Sequence, residues 1–444
     1  MRHFYPITHY NRSFTHLSED TRELDNSTLL VQTPSNAPFV QAHLAKEPKT
    51  PTIQALELYR LLNLSLQIVG VTGTNGKTTT ASCIYSLLLD SGCSCALLGT
   101  RGFFINDKRV KEKGLTTPTL LELYMDLAQA QAEGVAYFIM EVSSHALAQE
   151  RIVGLDFVAR VHTNITSDHL DYHKDLETYR TVKNSFFQGE GLKIINRDDP
   201  VVRFNPSNTY GYGLEHKSHL SVDAYSLNPT LSAHLNFKLT SKTPAENSLL
   251  HSPLIGRHNL YNLLGAVLCV RLLTDKPLED ICALVPNFLG VKGRLEVAHT
   301  DPLVVVDFAH TADGFTQIFN SFSGQKVKVV FGAGGNRDKS KRPLMGQVAT
   351  THALKTYITS DNPRHEDPLD IIKDILGGIA ENKRPSVVVE ANRQKAIELA
   401  LSELKADEIL LILGKGDENM QIIGDSLHPF DDCQVVRAFY KDRT

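Results

Sequence analysis

Thr72-Gly73-Thr74-Asn75-Gly76-Lys77-Thr78-Thr79 brings together the residue types that hold a phosphate chain. Glycines permit close backbone approach, a lysine reaches the terminal phosphates, and the hydroxyl after it suits Mg2+. An apolar run, Leu66 to Val71, leads in, and a helical pattern, Lys77 to Ser91, leads out with Gly92 placed to end it. A loop at a helix start offers unpaired N–H groups and the positive end of the helix dipole to an anion. A nucleoside triphosphate with Mg2+ is therefore the expected ligand. Gly73 and Gly76 enclose two residues, whereas the common loop has four between its glycines.

In an open α/β sheet, ligands sit beyond the carboxyl ends of the strands. The polar runs that follow apolar runs are thus the next candidates. Glu141-Val142-Ser143-Ser144-His145 is one, and His162 to His173 is another. Glu141 alone reads as a capping or surface carboxylate, but its place after a buried strand beside the phosphate loop favours a magnesium ligand. His169 and His173 imitate a zinc pair on one helix face; the missing HExxH pattern and the lack of a nearby cysteine argue against zinc. Phe331 to Asp338 imitates a dinucleotide fingerprint, yet Arg337 stands where the third glycine belongs, which disfavours a dehydrogenase. Arg337, Lys339, Lys341 and Arg342 suit anionic groups, and equally a solvated basic loop. Asp361-Asn362-Pro363-Arg364 reads as an ordinary Asn-Pro turn, or as a turn presenting an arginine fork to a carboxylate. Gly414-Lys415-Gly416-Asp417-Glu418 follows the last apolar strand and should open on the same edge.

The elements that must position these residues alternate as in a parallel α/β protein. Strands are expected at Val135 to Met140, Phe157 to Val161 and Lys193 to Ile195, with an antiparallel excursion over 215–250. Pro118 is expected at the first position of the helix before Val135. A second alternation starts near 296, with strands at Leu303 to Asp307, Val327 to Phe331, Thr356 to Thr359, Ser386 to Val389 and Ile409 to Leu413, and a helix over 391–404. Residues 1–64 read as irregular, interrupted by Pro34, Pro38, Pro48 and Pro51. The expected architecture is three α/β domains: a short N-terminal one over 1–64, a central P-loop parallel-sheet domain over 65–295, and a doubly wound, Rossmann-like domain over 296–444.

A net charge of −4, from 46 basic and 50 acidic residues, gives nucleic-acid binding no support. The start lacks the apolar core of a signal peptide, and no run is long and apolar enough for a membrane span. The six scattered cysteines fit reduced thiols of a cytoplasmic protein; a monomer is the expected state.

In this order, these pieces resemble the Mur ligases, ATP-dependent amino-acid ligases of peptidoglycan precursor synthesis. The similarity runs over nearly all of residues 66–420 and is strongest to the branch that adds 2,6-diaminopimelate to UDP-N-acetylmuramoyl-L-alanyl-D-glutamate. Beside the compact loop, it rests on Glu-Val-Ser-Ser-His-Ala-Leu with Gln149 and Arg151, and on Thr-Asn-Ile…Asp-His-Leu-Asp-Tyr-His. Gly293-Arg294-Leu295-Glu296, Asp307-Phe308-Ala309-His310-Thr311 and Arg337 to Pro343 complete it.

The resemblance implies roles residue by residue. Gly73 to Thr79, with Asn262, Arg294, Asp307 and His310, would bind ATP. Thr78 and Glu141 would hold one Mg2+, and His169 with Lys183 a second, Lys183 being carbamylated to N6-carboxylysine. Lys77, His169 and Lys183 would be catalytic. Thr116, Thr117, Ser143, Gln149 and Arg151, with Thr21 and Arg22, would hold the UDP-muramoyl dipeptide. Arg337, Asp361, Asn362, Pro363, Arg364, Gly414 and Glu418 would bind diaminopimelate, Arg364 taking its distal carboxylate. The phosphate loop arrives early, implying a shortened first domain, and Asp417 stands where the family usually has histidine. A lysine-adding variant, a folylpolyglutamate synthase-like ligase and a non-catalytic P-loop binder are the alternatives. The Asp-Asn-Pro-Arg turn and the Thr21-Arg22 segment oppose the second, and a second metal site would be superfluous in the third.

Overall fold

The computed structural model describes residues 2–112, 114–227, 231–240 and 243–441, with all their side chains except that of Asp171. Among the described residues, the strand that feeds the phosphate loop, Gln67–Thr72, is central to an 11-stranded sheet. Parallel neighbours flank it: Phe157–His162 on one side and Tyr137–Glu141 on the other. All three strands are near-continuous apolar runs because both faces are covered, as parallel sheets require. Alternate residues serve opposite cores: Val69, Val71 and Ile139 pack on one face, Ile68, Phe138 and Met140 on the other.

The sheet continues in parallel through Leu192–Asn196 and Thr209–Gly213 to Leu220–Ser226. It then turns antiparallel through Leu231–Phe237 and Glu246–Ser252, as the polar 215–250 stretch suggests. On the other side, Cys95–Gly99 pairs in parallel with Tyr137–Glu141 and leads to the antiparallel strands Gly102–Ile105 and Lys108–Lys111.

Residues 2–64 are more regular than their prolines imply. Arg2–His9, Arg12–Ser18, Thr28–Gln32 and Thr52–Gln54 form a four-stranded sheet with helices Ala37–Leu44 and Ala55–Leu62. The first three strands precede Pro34, and Pro38 lies in the first turn of its helix, where no N–H is needed. Phe14, Leu17, Leu29, Val31 and Leu58 share one core with Ile68, Phe138 and Met140 of the large sheet. The helix before Tyr137 spans Leu120–Ala132 with Thr119 as N-cap. Pro118 therefore lies outside the helix, not at its first position, and Thr117 is free for the site below.

The C-terminal sheet has six strands. Leu303–Asp307, Glu408–Leu413, Lys326–Phe331, Lys355–Ile358 and Val387–Val389 run parallel in that order. Glu296–Thr300 closes one edge antiparallel. Helices cover both faces, over separate cores built on Val305, Val329 and Leu411 and on Val304, Val330 and Leu410. The carboxyl ends at Asp307, Leu413, Phe331 and Ile358 open on one edge.

Candidate active site

The helix Lys77–Asp90 starts at Gly76, whose φ of 83° carries the chain from loop to helix. Gly73 is required by close approach: a Cβ there would lie 1.8 Å from Thr163 Oγ1. The loop is braced by the neighbouring strand's exit. Thr74 N donates to Asn164 O (2.7 Å), Asn75 N to Asn164 Oδ1 (3.0 Å), and Thr163 Oγ1 to Asn75 O (2.6 Å). Behind it, Thr80 Oγ1 donates to Asn262 Oδ1 at 3.3 Å, so Asn262 supports the loop from the adjacent helix, Arg257–Leu273. Thr79 is buried in the first helical turn.

Thr78 Oγ1 donates to Glu141 Oε2 at 2.9 Å, and Glu141 also accepts from Thr100 N at 2.8 Å. A hydroxyl and a buried carboxylate thus meet at the helix start, a donor set that fits a hard divalent cation. Lys77 Nζ folds back onto Gly73 O and Thr74 O, both at 2.8 Å, and burial lowers its pKa. Lys183 is 1% exposed and reaches the same loop from helix Leu176–Ser185, donating to Gly73 O (2.9 Å) and Thr72 Oγ1 (3.3 Å). Burial, then the nearby Lys77 charge, pushes its amine well below the ordinary lysine range. His169 is lowered to about 4 by burial, an effect that Asp168 opposes and His145 reinforces, so its imidazole is neutral at pH 7 and has a lone pair to offer.

Sequence reasoning left Asp168 without a role. Its Oδ1 accepts from His169 N at 2.8 Å, and its charge acts on Lys77, Lys183 and His310. The signal was its place in the same polar run. Tyr179, bonded to Thr74 Oγ1 at 2.8 Å, was also missed.

The five residues expected around the dipeptide do meet. Thr117 Oγ1 donates to Glu141 O (2.9 Å) and accepts from Ser143 N (3.0 Å). Arg151 Nη1 donates to Thr117 O at 2.8 Å, its Nη2 to Gln149 Oε1 at 2.6 Å, and Gln149 Nε2 to Tyr172 OH at 3.0 Å. Thr116 and Thr100 share a hydroxyl pair at 3.2 Å. Thr21 and Arg22 are not bonded into this group. The Arg22 side chain is 87% exposed and paired with Asp20 at 2.6 Å, while Glu19 is the residue of that segment whose charge acts on Arg151.

The C-terminal edge gathers the other set. Asn362 Nδ2 donates to Glu418 Oε2 at 2.7 Å, and Gly414 N donates to Asp307 O at 3.1 Å. Arg364 Nη1 donates to Gly335 O at 2.8 Å, and Gly335 N to Asn362 O at 2.9 Å, so the Asn-Pro turn through Pro363 is tied to the glycine loop. Burial and the Arg337 charge lower the Arg364 pKa, and the Asp361 and Glu418 charges oppose them; a guanidinium held by carbonyls keeps its charge for a carboxylate. Asp361 is buried beside this turn. Lys415, unassigned by sequence, is fully buried and donates to Asn362 Oδ1 and Glu418 Oε2, both at 3.1 Å. Of the basic loop, Arg342 is not available to a ligand: it is fully buried against Glu366 (3.0 Å) and Asp374 (2.8 Å), and Lys339 also pairs with Glu366.

Between the two sets, the Arg294 guanidinium lies 4.3 Å from the Phe308 ring centroid, and its charge acts on Lys77. Asp307 accepts from Leu295 N and Ala309 N, both at 2.7 Å, and burial raises its pKa. His310 Nδ1 pairs with Phe308 O at 3.1 Å. Among the described residues, no group of three or more His, Cys, Asp and Glu side chains stands ready-made for a metal ion.

A compact phosphate loop backed by a buried carboxylate and lysine, facing a second α/β lobe whose strand ends carry Arg364, Asn362 and Glu418, is the arrangement of an ATP-using ligase. Residues 71–270 match the Mur ligase middle domain, and residues 293–416 match the Mur ligase glutamate ligase domain. The chain is 55% identical over 98% of its length, and 97% of the relative's, to the UDP-N-acetylmuramoyl-L-alanyl-D-glutamate–2,6-diaminopimelate ligase of Helicobacter pylori strain J99. The enzyme of that name from Helicobacter hepaticus is 50% identical, with 99% of both chains covered, so the compact N-terminal region is shared. A solved structure of a ligase of that name superimposes with a TM-score of 0.65 at 31% identity, over 96% of this chain and 94% of that one. The chain belongs to the Mur ligase family.

Proposed function

We propose that the chain joins meso-2,6-diaminopimelate to UDP-N-acetylmuramoyl-L-alanyl-D-glutamate, in peptidoglycan precursor synthesis. The observation that carries this reading is Arg364, oriented by the Gly335 and Asn362 carbonyls and under the charge of Arg337, beside Asn362 and Glu418, on the sheet edge that also bears His310. A lysine substrate, with no distal carboxylate, would leave the Arg364 guanidinium without a ligand partner.

A carboxylate resists amine attack because its leaving group would be hydroxide. The D-glutamyl side-chain carboxylate therefore attacks the ATP γ-phosphorus and ADP leaves, giving an acyl phosphate. The diaminopimelate amine attacks the acyl carbon, loses a proton and expels phosphate. Lys77 exchanges its carbonyl bonds to Gly73 and Thr74 for phosphate oxygens. Ser143, Gln149 and Arg151 hold the dipeptide arm so that its carboxylate lies in line. Mg2+, when bound, supplies positive charge that offsets the phosphate oxygens. Thr78 and Glu141 would hold one ion, His169 and Lys183 another. Lys183 enters this set as N6-carboxylysine, formed when its neutral amine adds to CO2 and releases a proton. Approach of the C-terminal lobe brings the amine to the acyl phosphate and excludes water.

No helix among the described residues is long and apolar enough to cross a membrane. The reading places the chain in the cytoplasm as a monomer acting on small molecules. The test is product formation from UDP-muramoyl dipeptide and ATP with meso-diaminopimelate or L-lysine. Tripeptide from diaminopimelate alone is expected; phosphate release without tripeptide overturns the reading.

A further inference from the structure

Asp313 belongs to none of the groups described so far, yet it crosses between the lobes. It sits in the first turn of helix Ala312–Ser321, whose N-cap Thr311 accepts from Gly314 N at 3.1 Å. Its Oδ2 accepts from Asn75 Nδ2 at 3.1 Å and from Thr166 Oγ1 at 2.7 Å. Both donors belong to the central lobe, one in the phosphate loop and one in the segment that braces it. The Asn75 backbone is already engaged by Thr163 and Asn164, so its side chain is the part left to reach outward. Thr166 N in turn donates to Thr74 Oγ1 (2.9 Å), which pairs with Tyr179 OH, one turn before Lys183 on the same helix.

The far end of the Asp313 helix is fastened too. Ser321, its last residue, meets His258 Nδ1 at 2.8 Å, and His258 lies on the helix that carries Asn262 behind the phosphate loop. The helix is thus a strut pinned at both ends to the machinery that would grip phosphate. It follows directly on His310, at the edge that carries the amino-acid half-site.

We propose that Asp313 is a positioning residue: it docks the C-terminal lobe on the phosphate loop, so that the amine half-site is placed only when that loop and its brace are in register. A carboxylate beside a triphosphate site is electrostatically unfavourable, and the two hydroxyl and amide donors of the opposite lobe give it a use. The kinetic part of the proposal rests on the ligase reading; the docking part does not.

The test uses full-length Asp313→Ala, Asp313→Asn and Thr166→Ala. Asp313→Ala should lower kcat about tenfold and raise KM for diaminopimelate. KM for ATP should stay within about threefold, because no ATP contact is removed. Asp313→Asn keeps an acceptor oxygen and should recover most of the loss. Small-angle scattering with ATP alone, without an amino acid, should show a less compact Asp313→Ala chain than wild type, and adding Thr166→Ala should change it no further. Wild-type kinetics and compaction in Asp313→Ala would overturn the proposal, as would a kcat loss matched by an equal loss of ATP affinity. If the wild type formed no tripeptide but the scattering difference held, the ligase reading would fail and the docking role would stand.

Discussion

Replacing Lys183 with methionine should stabilise the fold while removing its activity. The Lys183 amine is held well below its ordinary value of 10.5, first by burial and then by Lys77. Between its folded pKa and that value, the unfolded chain binds a proton that the folded chain lacks. Stability therefore falls as pH is lowered through that window and is least affected above it. The Lys183→Met side chain would bury a similar stem without an amine. Its cost is small here: Gly73 O keeps its bond from Lys77 at 2.8 Å, and Thr72 Oγ1 keeps its own donation to Val142 O at 2.7 Å. Losing two bonds whose acceptors stay engaged costs about 1–2 kcal/mol, whereas exchanging a buried ionisable group for an apolar one returns about 1–4 kcal/mol. A net gain of about 1 kcal/mol at pH 7 follows, shrinking toward pH 10. Urea unfolding in bicarbonate-free buffer at both pH values measures it, and ligation should drop about 100-fold or more. Bicarbonate should raise wild-type ligation but leave Lys183→Met unchanged. A variant less stable than wild type at pH 7 would refute the idea that the buried amine is a standing cost, and one that still ligates would refute its role.

Glu141→Gln keeps one acceptor for Thr100 N but loses the charge beside Thr78, so kcat should fall about 100-fold with little change in melting temperature. Arg364→Ala should raise KM for diaminopimelate about 100-fold, the worth of a charged bidentate contact, without lowering turnover of L-lysine; steady-state kinetics with both amino acids decide. Arg342→Met removes the buried partner of Glu366 and Asp374, leaving Glu366 its Lys339 pair and Asp374 its solvent, and should cost about 1–2 kcal/mol in urea unfolding. Glu366 itself is held down at about 2 by Arg342, so its contribution is present above the ordinary carboxylate range and lost as pH falls toward 2. Gly293→Ala would place a Cβ 2.0 Å from Asp417 N at a φ of 68°, where backbone meets backbone and cannot yield. A loss of at least about 2 kcal/mol is expected by the same measurement.

What could be read from the sequence follows from where the determining contacts lie. Gln67–Thr72, Tyr137–Glu141 and Phe157–His162 are buried on both faces, so each writes itself as an apolar run with polar residues at its exit. That pattern alone brought Glu141 to the phosphate loop. The N-terminal sheet had no such signature, because its first two strands are largely exposed or half-buried and so mix polar with apolar residues, and one face leans on a core supplied by residues far along the chain. Lys183 taken alone reads as a solvated helix lysine, and Lys415 had no assigned role, yet both are among the most buried side chains described. Their surroundings come from other elements, and no window around them contains that information. The Asn75–Asp313 bond spans 238 positions and lies beyond any local pattern.

The three arginines of the C-terminal edge show why charge alone is a poor guide to a binding site. Arg337, Arg342 and Arg364 look alike in sequence, all beside turns rich in glycine, proline or serine. Arg342 enters a helix, loses all exposure and is neutralised by two carboxylates, so its charge is spent inside the fold. Arg364 has a φ of 53°, and its Nη1 is held by the main-chain oxygens of Gly335 and Asn362, at 2.8 and 3.4 Å. Carbonyl bonds orient a guanidinium without cancelling its charge. Burial and the nearby Arg337 charge lower the Arg364 pKa, while the Asp361 and Glu418 charges oppose them. The two arginines thus differ in their acceptors, carboxylates for Arg342 and main-chain carbonyls for Arg364, and only the second arrangement leaves a guanidinium able to serve the ligand role proposed for it.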